Sequence, residues 1–174
     1  MDGARSSVEG WGSGLIGVVI FSGSLPATRV AVADFSPLFL TGARAAIAAL
    51  LGGALLVLLR QPRPLRRDIP SLAIVSLGVV IGFPLLTALA LQHITSARSI
   101  VFIGLLPLAT AIFGVLRGGE RPRLPFWLFS GLGSATVAAF ALSGGGSASP
   151  AGDLLMIAAI VLCGLAYAEG AKLS

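Results

Sequence analysis

The chain has 174 residues and a mass of 17.6 kDa, with 56% hydrophobic residues, 11% charged residues and a mean hydropathy of +0.97. Soluble domains carry about 25% charged residues, so this chain cannot cover a water-soluble globule, and its apolar content excludes a disordered one. A net charge of +5 invites a nucleic-acid reading; the basic residues instead fill short gaps between apolar runs, which points to the lipid bilayer as partner and no nucleic acid.

Residues 1–11 form a short N-terminal segment with Asp2, Arg5 and Glu9. A secretory signal needs a positive region here, and Arg29 separates the following apolar run from the small-residue site Ala31-Val32-Ala33. The first run is therefore read as a retained helix. Crossing a hydrocarbon core of about 30 Å takes about 20 helical residues. Runs of that order lie at about 12–32, 38–59, 70–92, 99–116, 125–143 and 152–171. Pro37, Pro62, Pro64, Pro70, Pro122, Pro125 and Pro150 mark their edges. The runs are continuously apolar and lack the period-2 alternation of a barrel, so the expected fold is an all-α, polytopic transmembrane helix bundle of six spans.

Three prolines lie inside spans: Pro26 in the first, Pro84 in the third and Pro107 in the fourth. Each withholds a backbone donor, so a kink or a short unwound turn is expected there. Transporters use such breaks near binding sites, and static bundles use them for packing. Small residues recur at steps of four in Gly78 and Gly82, in Ala45, Ala49 and Gly53, and in Gly131, Ala135 and Ala139. Each set lies on one helix face and suits close packing.

Arg44 lies about two turns into the second span, where an arginine costs about 2.5–3.5 kcal/mol and is expected to face the bundle interior or a wet cavity. Arg29 and Glu169 lie close to span ends. They are candidates for a substrate pathway, or for snorkelling and, for Glu169, pairing with Lys172. His93, the sole histidine, stands at the end of the third span as a candidate proton carrier or a plain interfacial residue. Glu120 sits among Arg117, Arg121 and Arg123 as a local ion-pair partner. Cys163 is the sole cysteine, within an apolar run, so no intrachain disulfide or metal cluster is expected.

Alternating spans put Arg60, Arg63, Arg66, Arg67, Arg117, Arg121, Arg123, Arg5 and Lys172 on one side, against Arg98 on the other. By the positive-inside rule both termini are expected in the cytoplasm.

Trp11-Gly12 opens the first span, and Pro37 and Arg44 begin the second in SPLFLTGARAAIAAL. In ALALQHITSARSIVFIGLLPLATAIFGVLRGGERP, a helix end precedes the small turn at Ser96-Ala97, then Pro107, then Gly119-Glu120. In this order and spacing the chain resembles the EamA-type proteins of the drug/metabolite transporter superfamily. The resemblance implies ten helices in two five-helix halves of inverted topology, with Trp11, Gly12, Gly119 and Glu120 as structural motif positions. It implies a first repeat over 12–143, an external Gly/Ser loop at 144–151 and the first helix of a second repeat at 152–174. Aligning Gly23 with Gly164 places Thr28 over Glu169.

Under that resemblance the chain is expected to be the truncated front half of a secondary transporter in a bacterial inner membrane. It would move small metabolites, amino acids or drugs by alternating access. Arg44, Arg29, His93 and Glu169 would line or gate the pathway, with a proton as candidate coupling ion and no cofactor. The alternative is a non-transporting assembly subunit that pairs, as a homodimer or with a second half, through small-residue faces. An enzyme is not expected: there is no Gly-x-Ser-Gly, no His-Glu-x-x-His and no pair of intramembrane aspartates, and SGGGS at 143–147 lacks the Gly-Lys end of a phosphate loop.

Overall fold

The computed structural model describes residues 12, 14–143 and 149–173, and side chains within these except those of 140–143. The motif position Trp11 lies outside the described residues. The described backbone forms six long helical segments: α1 (Gly14–Asp34), α2 (Pro37–Leu58), α3 (Arg66–Ala90), α4 (Ser96–Gly118), α5 (Leu124–Ser143) and α6 (Pro150–Ala171). Five of these are long and apolar enough to cross a membrane, and α5 contributes a shorter apolar stretch, Leu124–Ala139.

Local chemistry sets the helix starts. Ser36, Thr95 and Ser149 each cap a helix, accepting from the backbone N–H of Phe39, Arg98 and Gly152 at 3.2, 3.3 and 3.3 Å. Pro37 and Pro150 follow their caps at the first helical position, where a missing N–H costs nothing. Helix α4 stops at Gly119, whose φ of +69° turns the chain left-handed and lets Glu120 N–H reach the carbonyl of Gly114 at 3.2 Å.

Three helices are interrupted, each just N-terminal to a proline. Helix α1 breaks at Gly23 ahead of Pro26. Helix α3 widens into a π-helical stretch over Ser76–Gly82 ahead of Pro84. Helix α4 breaks at Gly104-Leu105 ahead of Pro107. A proline ring collides with the carbonyl four residues earlier and gives it no donor, so the distortion falls on that preceding turn.

Helix α6 occupies the centre: 44% of its apolar window is buried, against 6% for α2. It packs chiefly on α3 and α4. Gly78 and Gly82 of α3 abut Leu162, and a Cβ at Gly78 would stand 2.5 Å from the Cβ of Ala166. On the other flank, a Cβ at Gly164 would stand 2.9 Å from the Cβ of Ala109 in α4. Met156 and Ile160 join Ala90, Ile94 and Phe102 in one buried cluster, and Leu25, Val32, Ala88 and Leu91 form a second beneath α1. The small-residue faces of α2 and α5 are different. Gly53 and Gly131 have no neighbour within 4 Å, so these stripes meet no partner among the described residues. The outer surface carries exposed Leu, Ile, Val and Phe along every helix, which is the face a lipid solvent requires and water does not tolerate at this extent.

Candidate substrate cavity and its charged supports

Arg44 projects from α2 toward α1 and donates to Thr28 Oγ1 at 3.4 Å. Two adjoining cavities, of about 280 and 220 Å³, share Ser24, Thr28, Arg44 and Pro84 in their walls. Thr41 and Ala88 line the first, and Thr87 and Tyr167 line the second. No carboxylate lines either among the described residues. The hydroxyls of Thr41 and Thr87 are buried and have no hydrogen-bond partner in the described structure. Buried hydroxyls are normally satisfied, so these two stand out, although both are covered by neighbouring atoms. Thr28 differs, because its hydroxyl also bonds back to the carbonyl of Ser24 at 2.7 Å.

The other pathway candidates lie elsewhere. Arg29 donates to the carbonyl of Leu91, at the C-terminal end of α3. There a cation supplies a donor to an orphan carbonyl and complements the helix dipole. His93 is exposed in the turn after α3, and its Cβ would lie 3.2 Å from a Cβ at Gly152. Of the internal prolines, Pro84 lines both Arg44 cavities and Pro107 lines a separate one. Gly12 is exposed with open space around it.

Glu169 is 1% exposed at the end of α6. Its carboxylate accepts from Arg117 Nε at 2.5 Å, Lys172 Nζ at 3.0 Å and Ser71 Oγ at 3.1 Å. The cluster ties α3, α4 and α6 together. At the opposite end of the bundle, Arg98 makes a bidentate pair with Asp153, with both N–O distances 2.7 Å. Helices α4 and α6 run parallel and are thus bonded at both ends, with the Gly164–Ala109 contact between. Glu120 takes a different place from the one its arginine neighbours suggest: its carboxylate folds back against Gly114, 2.8 Å from where a Cβ there would stand.

Sequence reasoning singles out Arg44 for its depth and Glu169 for its charge. It does not single out the cavity-lining Thr41, Thr87 and Tyr167, because hydroxyls are ordinary inside apolar spans and their place beside Arg44 depends on how the helices cross. It also misses Asp153 as the partner of Arg98. An acidic residue in the first turn of a helix suits that helix alone, and only the fold shows that it faces Arg98.

The described helices are apolar on their outer faces, and comparison with known proteins points to a membrane family. The EamA-like transporter family matches residues 10–142. The chain is 69% identical over 170 residues to the "Uncharacterized transporter YdeK" of Bacillus subtilis (strain 168). That alignment takes in 98% of this chain and 59% of the relative, so the chain spans less than two thirds of that protein's length. No solved structure matches the chain significantly. With most of its length matched and its helices apolar, the chain belongs to the EamA-like transporter family of multi-pass membrane proteins.

Proposed function

We propose that the protein is a secondary transporter of small metabolites or amino acids bearing an anionic group, working by alternating access in a bacterial inner membrane. The observation that carries this reading is the Arg44 guanidinium, which with Thr28 lines two adjoining cavities, alongside Thr41 in one and Thr87 in the other, with no lining carboxylate among the described residues. A cation at this depth is costly unless it faces a wet cavity, and an anionic ligand offsets that cost. The interruption ahead of Pro84 supplies a deformable turn beside the cavity, where transporter helices commonly break.

The test is uptake of labelled amino acids and carboxylates into proteoliposomes. Arg44→Ala should lower uptake of the anionic substrate by about 10–100-fold, the range of a lost charge-assisted hydrogen bond, with Arg44→Lys in between. Unchanged uptake in Arg44→Ala, at equal protein incorporation, removes Arg44 from the mechanism. His93 and Glu169 are the two proposed carriers of a coupling proton. His93→Gln and Glu169→Gln should then separate uptake from an imposed pH gradient, and only a variant that loses that dependence retains its role.

The open faces of α2 and α5 favour a second reading, an assembly subunit. Gly52, Gly53, Gly131 and Gly133 have no neighbour within 4 Å, which suits a second copy or a second half packed on either stripe. In a Cys163→Ala background, Gly53→Cys should cross-link between chains in the membrane under this reading; a Leu58→Cys control tests for random collision.

A further inference from the structure

Where α2 hands over to α3, Arg60, Arg63, Arg66 and Arg67 fall within eight residues, all four exposed. The adjoining acid, Asp68, lies 3.6 Å from Arg67; Arg60, Arg63 and Arg66 have no ion-pair partner among the described residues. Pro62 and Pro64 stiffen the stretch between them, since each ring locks its backbone φ. At the end of α2 the backbone N–H groups of Arg60 and Gln61 donate to the carbonyls of Val57 and Leu56 at 3.1 and 3.0 Å, the bonding of a Schellman turn. That turn needs one left-handed residue, and it is Arg60, at φ +50°. Helix α4 uses Gly119 for its left-handed turn. An arginine in that conformation carries a steric cost that glycine avoids. Membrane orientation depends on how many cations a loop holds and does not call for one at a strained position. A ligand for the guanidinium accounts for the strain.

The surface beside these cations is apolar. Leu58 and Leu59 at the end of α2, and Leu65 between the arginines, are each more than half exposed. Guanidinium groups pair with phosphate oxygens through parallel hydrogen bonds, and cations clustered at a span end attract acidic lipid. A phospholipid matches both halves of this surface, whereas a soluble phosphate leaves the leucines unused.

We propose that the α2–α3 connection is a binding site for a phospholipid of net negative headgroup charge. The phosphate lies among Arg60, Arg63 and Arg66, and an acyl chain lies over Leu58 and Leu59. None of these residues lines the Arg44 cavities, so the site is independent of what those cavities take.

Native mass spectrometry of the purified chain in detergent micelles, with dioleoylphosphatidylglycerol and dioleoylphosphatidylcholine in equal amounts, reads the preference. The wild-type protein should retain the anionic lipid at least about tenfold over the zwitterionic one. Arg60→Gln, Arg63→Gln and Arg66→Gln combined should bring the two within about twofold of each other. Arg121→Gln with Arg123→Gln, a control on another loop, should leave the wild-type ratio unchanged. Arg60→Gly separates binding from folding: it should lower the ratio about threefold while holding the thermal midpoint at or above the wild-type value, because glycine relieves the strain. Excess glycerophosphoglycerol, the free headgroup, should not displace the lipid. The proposal is overturned by a wild-type protein without preference, or by an undiminished preference in the triple variant or in Arg60→Gly. An equal loss in the Arg121 and Arg123 control overturns it in favour of diffuse charge, and displacement by the free headgroup in favour of a soluble anion. A lowered midpoint in Arg60→Gly makes Arg60 a structural residue and overturns it as well.

Discussion

Glu169 is a carboxylate that lipid would not tolerate alone, and its surroundings explain how the bundle holds it. Two cations and one hydroxyl converge on its oxygens, so charge-assisted bonds offset the cost of burial. Removing the carboxylate leaves Arg117 and Lys172, whose side chains are 47% and 35% exposed, able to turn to water. Glu169→Ala should therefore destabilise the protein by about 1–2 kcal/mol, read as the loss in reversible unfolding free energy in mixed micelles. Arg117→Ala should cost less, because Lys172 and Ser71 still serve the carboxylate. The Arg98–Asp153 pair offers a cleaner measurement, since both side chains face one another and are largely buried. A double-mutant cycle with Arg98→Ala and Asp153→Ala should give a coupling energy of about 1–3 kcal/mol. At this scale the sequence exposes charges by their depth but conceals their partners. Glu169 is visible as an acid near a span end, whereas Arg117 lies 52 residues away, with no pattern linking the two.

Among the helices, identical spacing hides different fates. The stripes at Gly78 and Gly82, at Ala45, Ala49 and Gly53, and at Gly131, Ala135 and Ala139 look alike as sequence, since each repeats at four residues and marks one face. Only the first is pressed against a helix of the described structure, with Leu162 and Ala166 of α6 filling the space above it. Gly78→Ala should cost about 1–3 kcal/mol, because the new methyl meets the backbone carbonyl of Leu162 at 2.8 Å and Ala166 at 2.5 Å. Gly53→Ala has open space and should be neutral or stabilising by up to about 1 kcal/mol. Thermal unfolding of the two variants side by side checks both outcomes, and equal effects would mean that α3 does not rest on α6. Proline positions were informative at this scale because a missing donor acts locally. What they did not convey was the form of the distortion, a π-helical widening in α3 and open turns in α1 and α4, because that depends on what packs beside each turn.

For the whole molecule, hydropathy carried most of the architecture. Helix length is fixed by bilayer thickness and is written directly in the apolar runs. Centrality is not: α6 is no more apolar than α3 or α4, yet it alone is packed on both flanks by glycines. Orientation is a further prediction. With Cys163 replaced by Ala, a cysteine at Arg63 or Arg123 should react with an impermeant maleimide only from the cytoplasmic face, and one at Ala97 only from outside. The reverse pattern would invert the bundle. The place of α6 also sets an order of assembly. Ribosomes deliver α3 and α4 to the bilayer before α6 exists, so the Gly78–Gly82 face of α3, Ala109 of α4 and the two arginines that await Asp153 and Glu169 first meet lipid, water or translocon. The core of this bundle closes only once α6 has been made, and until then α3 and α4 are inserted without the helix that both pack on. A ribosome stalled before residue 150 would hold a nascent chain whose Arg98 and Arg117 lack their acidic counterparts, the kind of half-finished species that membrane proteases recognise.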